Sequence, residues 1–436
     1  MIVSDFEKNI GIETYFTPYP GLNGKLRTVT EDFIVNEIFA YPEEKIDGLF
    51  VIAEVSSKNW ETHRLVRELS KKLRISRNRI QFAGTKDKRS YSSQLMSFRN
   101  VNKKDLLNLR LKDVIIEHIY NSDKSVTIGK LLGNKFEIVV RDIDKGIQRE
   151  NIEKIFSHLS KNGGFPNFYG VQRFGVTRPI THIVGKHLVK GDFENAVMSY
   201  VANPISGENQ ESFALRKELE KTNDFSKAFH EYPNYLNFEK AMLNKLIHDP
   251  TDFVSAFKEL PKNLQTMFIN AYQSFLFNKI LSMRILNKIP LNKAVVGDLI
   301  IPIRDGKIDH GYIPVKESNL DKVNKQISKK KAFISGLLVG NKPIFSDGEM
   351  GEIEHKVIEE EKIDYRDFVI TEIPYISSSG SRRALLAKFD NLDWKLKKDE
   401  INENKQSLQL YFELQKGCYA TSFLREIMKS ENVKNY

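Results

Sequence analysis

Strand-like sequence at both ends of the chain, separated by a helical interior, restricts the possible folds more than any other feature. Near the C-terminus Leu408, Leu410, Phe412 and Leu414 alternate with polar residues, the period of a half-buried strand. Gly417 then turns the chain, and Thr421 or Ser422 is placed to cap a helix carrying Phe423, Leu424, Ile427 and Met428. The chain opens in the same style. Thr28 to Ile38 is strand-like with Phe33 and Val35 on one face, and Leu49, Val51, Ala53 and Val55 alternate in the next strand. Glu61 to Leu73 reads as a helix on Leu65, Val66, Leu69 and Leu73, Ile80 and Phe82 mark a strand, and Phe136 to Arg141 mark another. Between these ends, Ala241 to Asn287 is helical and broken only by Pro250 and Pro261, and residues 291 to 345 return to strand-like alternation. A strand and helix that resume after such an interlude predict an inserted domain, with the two ends of the chain sharing one sheet. With 436 residues, two or three domains are expected.

The net charge of +10 favours an acidic partner, and nucleic acid fits better than a membrane because no basic amphipathic anchor is evident. No basic start leads into an apolar signal segment, and no run reaches the ~18 apolar residues of a membrane span. A single cysteine, Cys418, precludes an internal disulfide and fits a reducing, cytoplasmic setting. The nine histidines form no HExxH or Cys/His spacing; His182 and His187 lie five apart without a third ligand, so no metal is expected.

Two segments are chemically dense. In FAGTKDKRSYSSQ, Phe82 to Gln94, Asp87 stands between Lys86 and Lys88 on the loop leaving the Ile80–Phe82 strand. From Arg64 to Arg89 ten bases face only Glu68 and Asp87. Neighbouring cations favour the ionised form of a carboxylate and also gather phosphates, so the arrangement fits an acid offered to a polyanion. It fits a solvated basic face with an ordinary turn aspartate equally well. The second segment, GGFPNFYGVQRFG from Gly163 to Gly175, combines glycines that permit close approach with aromatic faces for unstacked bases. Asn167 within it can orient a carboxylate or read a base edge. A structural turn with buried aromatics is the alternative. No GxxxxGK[ST], GxGxxG or GxSxG occurs, which leaves carboxylate chemistry without a cofactor.

GTKDKRSYSSQ followed by PNFYGVQRFG resembles the TruD family of tRNA pseudouridine synthases. The resemblance continues in family order through TEDFIVNEI, LLGNKFEIVVR, NAYQSFLFN, GSRRAL and KGCYATSFLREIMK, spanning nearly the whole chain. It implies a mixed α/β fold, with a mainly antiparallel catalytic sheet interrupted by an α/β insertion. The expected parts are residues 1–185, 186–375 and 376–436. It implies Asp87 as the catalytic residue, Asn167 as a substrate-binding residue, Tyr169 stacking on the target base where bacterial members carry phenylalanine, and Arg27 helping to hold the active site where they carry lysine. Lys86, Lys88 and Arg89 have the charge for phosphates around an extruded nucleotide. The implied reaction is isomerisation of uridine, at position 13 of tRNA, to pseudouridine by a cytoplasmic monomer without metal or cofactor. A non-catalytic RNA-binding protein on the same scaffold and an RNA methyltransferase are the rival readings. An intact Asp87 and Asn167 count against the first, and the missing donor site against the second.

Overall fold

A computed structural model describes residues 3–304, 307–308, 311–430, 432 and 435–436. The chain divides into two compact units: Thr17–Phe165 with Ala387–Tyr436, and Met1–Phe16 with Pro166–Leu386. The exchange points fall at 165/166 and 386/387, twenty residues before and eleven after the expected 185/186 and 375/376, and the first sixteen residues go with the interior unit.

The outer unit is built on a mixed sheet. Its N-terminal portion supplies β1 (Phe33–Ile38), β2 (Phe50–Lys58), β3 (Ile80–Phe82), β4 (Tyr91–Arg99), β5 (Val114–Ser122) and β6 (Gly133–Ile143). The strands Phe389–Lys398 and Gln406–Gln415 return from the far end of the chain to the edge beside β6. Across the sheet the order is Phe389–Lys398, Gln406–Gln415, β6, β1, β4, β2, β5, with β3 on β4. Only the β1–β4 pair is parallel among these pairings, so the sheet is mixed and mainly antiparallel, with both ends of the chain in it as the sequence predicts.

Helix Thr62–Lys72 covers one face, laying the buried side chains of Leu65, Val66 and Leu69 against Val51, Val55, Phe82, Met96 and Phe98. Each such leucine removed from water contributes about 1.5–3 kcal/mol. Glu61 caps this helix, accepting from the N–H groups of His63 and Arg64 at 2.9 Å each, and so fixes where the chain leaves the sheet. Phe136 and Phe412 stack at 5.1 Å on the neighbouring strands, and Phe412 meets Phe423 of the helix Ala420–Met428. That helix starts one residue before the predicted hydroxyl caps. Tyr419 is its N-cap and makes no side-chain cap bond, while Thr421 and Ser422 lie inside the first turn.

In the interior unit the last part of the expected helical stretch is one helix from Lys262 to Leu286, with Phe268, Tyr272, Leu276 and Ile280 all closed to solvent. Pro250 and Pro261 separate it from helices Asn237–His248 and Phe253–Lys258, as proline's missing N–H requires. An antiparallel sheet orders Ile313–Pro314, Leu299–Arg304, Ala332–Leu338 and Ser381–Ala384. Among the described residues no helix is long and apolar enough to cross a membrane.

Candidate active site

Asp87 lies on the loop 83–90 that joins β3 to β4. The loop is tied at both ends. Thr62, the first residue of the covering helix, accepts from the Lys86 N–H through Oγ1 at 2.7 Å, and its own N–H donates to the Lys86 carbonyl at 3.3 Å. Ser90 Oγ donates to the Asp87 carbonyl at 2.8 Å. With the main chain held, the Asp87 carboxylate stays 63% exposed, and Arg27 Nη2 meets its Oδ2 at 3.2 Å. Arg27 sits in the left-handed region at φ 57° and lays its guanidinium 4.2 Å from the centroid of Phe33, the first residue of β1. Burial lowers the Arg27 guanidinium from its ordinary range, Asp87 raises it and Arg89 lowers it further; an arginine starts high enough to stay cationic at neutral pH. Arg89 Nη2 donates to the Arg27 carbonyl at 3.0 Å, so both arginines belong to one assembly around the carboxylate.

The three cations expected to meet phosphates are not equivalent. Lys88 and Arg89 are exposed. Lys86 is turned inward: its side chain is 6% exposed, its Nζ donates to Asn134 Oδ1 at 2.8 Å and lies 3.1 Å from Glu37 Oε2. Its ammonium is thus committed to two groups inside the protein, whereas a phosphate contact was expected of an outward-facing one. Glu37 and Asn134 are directly opposed in the β1–β6 register, which is why both reach the same ammonium. Elsewhere in the basic run, Arg67 and Lys71 both meet Glu68, and Arg79 donates to the Arg99 carbonyl at 2.8 Å.

Asn167 and Tyr169 belong to the interior unit. Asn167 is 4% exposed and its polar groups are committed to the strand Ser381–Ala384 and the residue after it. Its N–H donates to the Leu385 carbonyl and its Nδ2 to the Ala384 carbonyl, each at 2.9 Å, while its Oδ1 accepts from Arg383 Nη2 at 2.6 Å. Tyr169 is 7% exposed. Asn278, on the long helix, grips its main chain from both sides: Oδ1 accepts the Tyr169 N–H and Nδ2 donates to its carbonyl, each at 2.9 Å. The ring meets Phe277 edge-on at 5.7 Å, with the Arg383 guanidinium 4.2 Å from its centroid.

Glu37, Asn134, Asn278 and Arg383 were missed by sequence reasoning as parts of these assemblies. Alternation offered a signal for Glu37, which shares the face of Phe33 and Val35 and therefore needs a cation. Asn278 and Arg383 stand inside NAYQSFLFN and GSRRAL, yet nothing local tells which residue each would hold. Among the described residues no group of three or more His, Cys, Asp or Glu is placed to hold a metal ion.

The tRNA pseudouridine synthase D (TruD) family model matches residues 9–427. A probable tRNA pseudouridine synthase D of Methanococcoides burtonii is 41% identical over 438 residues, covering 99% of each chain. That of Methanosarcina acetivorans is also 41% identical, over 433 residues and 98% of each chain. A crystal structure of the putative tRNA pseudouridine synthase D from Methanosarcina mazei superposes with a TM-score of 0.88 at 39% identity, covering the whole of both chains.

Proposed function

Because the chain belongs to the tRNA pseudouridine synthase D family, an isomerase family, we propose that it converts uridine 13 of tRNA to pseudouridine with Asp87 as the catalytic group. One observation carries the assignment within the chain. The Asp87 carboxylate is mostly open to solvent, yet its main chain is pinned and its Oδ2 is held by a largely buried arginine. An acid kept only for stability would be closed off or left loose; this one is presented.

The reaction breaks the bond from C1′ of ribose to N1 of uracil and makes one from C1′ to C5 of the same base. The hydrogen leaving C5 goes to solvent, and N1 takes a proton. No electrons, group donor or energy source are needed, which agrees with carboxylate chemistry alone. Asp87 would act at the sugar, either as nucleophile at C1′ or as base at C2′ on the way to a glycal. Arg27 would hold the carboxylate in one orientation, leaving its other oxygen toward the substrate. Lys88 and Arg89, both exposed, would meet phosphates flanking the extruded nucleotide, and Tyr169 would offer its ring to the uracil. The enzyme would act as a monomer in the cytoplasm, without metal or cofactor.

Carbodiimide labelling of tRNA from cells with and without this protein tests the reading. The expected result is one mass-neutral pseudouridine, at position 13, present only with the protein. A protein that bound tRNA but left its uridines unchanged would be the non-catalytic alternative.

A further inference from the structure

We propose that Arg383 is the positioning residue of the glycine-rich segment, holding the Asn167 amide and the Tyr169 ring in one arrangement; this rests on the reading of Asn167 and Tyr169 as substrate-side groups. Arg382 and Arg383 are consecutive on the strand Ser381–Ala384, so their side chains leave opposite faces. Arg382 enters the core, where its Nη2 meets Glu354 Oε1 at 2.6 Å, Ser346 Oγ at 2.8 Å and the Ser335 carbonyl at 2.9 Å. That side chain anchors the sheet. Arg383 turns the other way and spans two residues of the glycine-rich segment. Its Nη2 donates to Asn167 Oδ1 at 2.6 Å, its Nε donates to the Asn167 carbonyl at 3.3 Å, and its guanidinium lies over the Tyr169 ring.

A guanidinium suits both tasks, because its planar fork serves two acceptors at once and its flat face stacks on an aromatic ring. Lysine supplies only the charge. With Oδ1 taken by Arg383 and Nδ2 given to the Ala384 carbonyl, the amide of Asn167 has one way up. Directly opposite Arg383 in the strand pair stands Gly336, where a Cβ would fall 2.7 Å from Leu385 and 3.2 Å from Phe277. Glycine there leaves room for Phe277, the ring that backs Tyr169. Asn278 fixes the Tyr169 main chain independently, so losing Arg383 should free side-chain orientation without unfolding the unit.

The test compares Arg383→Lys and Arg383→Gln with wild type, using release of tritium from C5 of uridine in a tRNA transcript. Loss of a charge-assisted pair predicts a drop in kcat of about 10- to 100-fold in both variants, with lysine giving no rescue. KM should stay within about threefold, since the loss lies in alignment and not in uniform binding. Adding Asn167→Ala to Arg383→Lys should cost less than the product of the two single losses, because both substitutions break the Nη2–Oδ1 contact. Exchange of the Asn167 side-chain amide hydrogens, followed by NMR and faster in Arg383→Gln than in wild type while the melting temperature is kept, reads the same positioning without turnover. Full activity in the lysine variant, losses that multiply, a change confined to KM, or unaltered exchange would each overturn the proposal. Wild-type protein that released no tritium would instead overturn the reading of the reaction.

Discussion

Lys86 Nζ lies 3.1 Å from Glu37 Oε2 with both side chains closed to solvent, while the next residue along the chain carries a carboxylate that is mostly open. The loop thus turns one side chain in and presents the next. Glu37 titrates above its ordinary value, raised by burial and opposed by the Lys86 ammonium and the Leu95 N–H.

That pair gives a signed pH prediction. Between its unfolded and its raised folded pKa, Glu37 binds more protons in the folded state, so its contribution to stability falls as pH rises through that window. Lys86→Met removes the largest opposing group, and Glu37 should titrate higher still. The variant should lose about 3–5 kcal/mol at about pH 8, where the lone buried carboxylate is charged. The deficit should shrink as the pH is lowered towards about 5 and Glu37 takes up its proton. Adding Glu37→Gln should recover most of the loss at the higher pH. Urea denaturation of the three proteins across that range measures it, and a deficit independent of pH would mean that Glu37 is not the group left uncompensated.

Asp87→Asn should abolish tritium release while leaving tRNA affinity within about threefold, since the amide keeps the shape but is neither nucleophile nor base. Arg27→Gln should fold and lose about 10- to 100-fold in turnover, the worth of a hydrogen bond to a charged group expressed in the transition state. Substantial residual turnover in the asparagine variant would remove Asp87 from the chemistry. An Arg27 variant with unchanged kcat would reduce that contact to a resting-state ion pair.

Much of the fold was legible because the outer unit obeys local rules. Alternation located β2 and the strand Gln406–Gln415, and the spacing of Leu65, Leu69 and Leu73 located a helix whose observed ends, Thr62 and Lys72, fall within a residue of those expected. The site was legible only by residue. Asp87, Arg27, Asn167 and Tyr169 come from motifs, but which way Lys86 turns depends on Glu37 and Asn134, 49 and 48 residues away in sequence. Such pairings follow from strand register, and periodicity does not set the register between strands distant in the chain. The same limit applies to residues 1–16, whose place in the interior unit has no local signature.

Inward and outward cations should also separate in salt dependence. Lys88→Ala and Arg89→Ala should each flatten the slope of log affinity against log salt by about one unit if each neutralises a phosphate. Lys86→Met should leave that slope unchanged, because its ammonium is already committed inside the protein. Filter binding of tRNA over a salt series gives all three slopes. An equal effect from Lys86 would mean that the buried pair opens when RNA binds.

Tyr169 tests packing against stacking. The ring is closed in by Phe277 and Arg383, so Tyr169→Ala should open a cavity and cost about 3–5 kcal/mol of stability along with activity. That variant alone cannot tell the two roles apart. Tyr169→Phe keeps the π-face for uracil and for Arg383, and it should retain turnover within about threefold if the hydroxyl is secondary. Tyr169→Leu refills much of the volume without a π-face. If the ring stacks on the extruded base, leucine should melt well above alanine yet lose about 10- to 100-fold in kcat, the 1–3 kcal/mol worth of a base–aromatic contact. Leucine turning over as fast as phenylalanine would reduce Tyr169 to a packing residue. Phenylalanine as slow as leucine would shift the function to the hydroxyl and away from the ring.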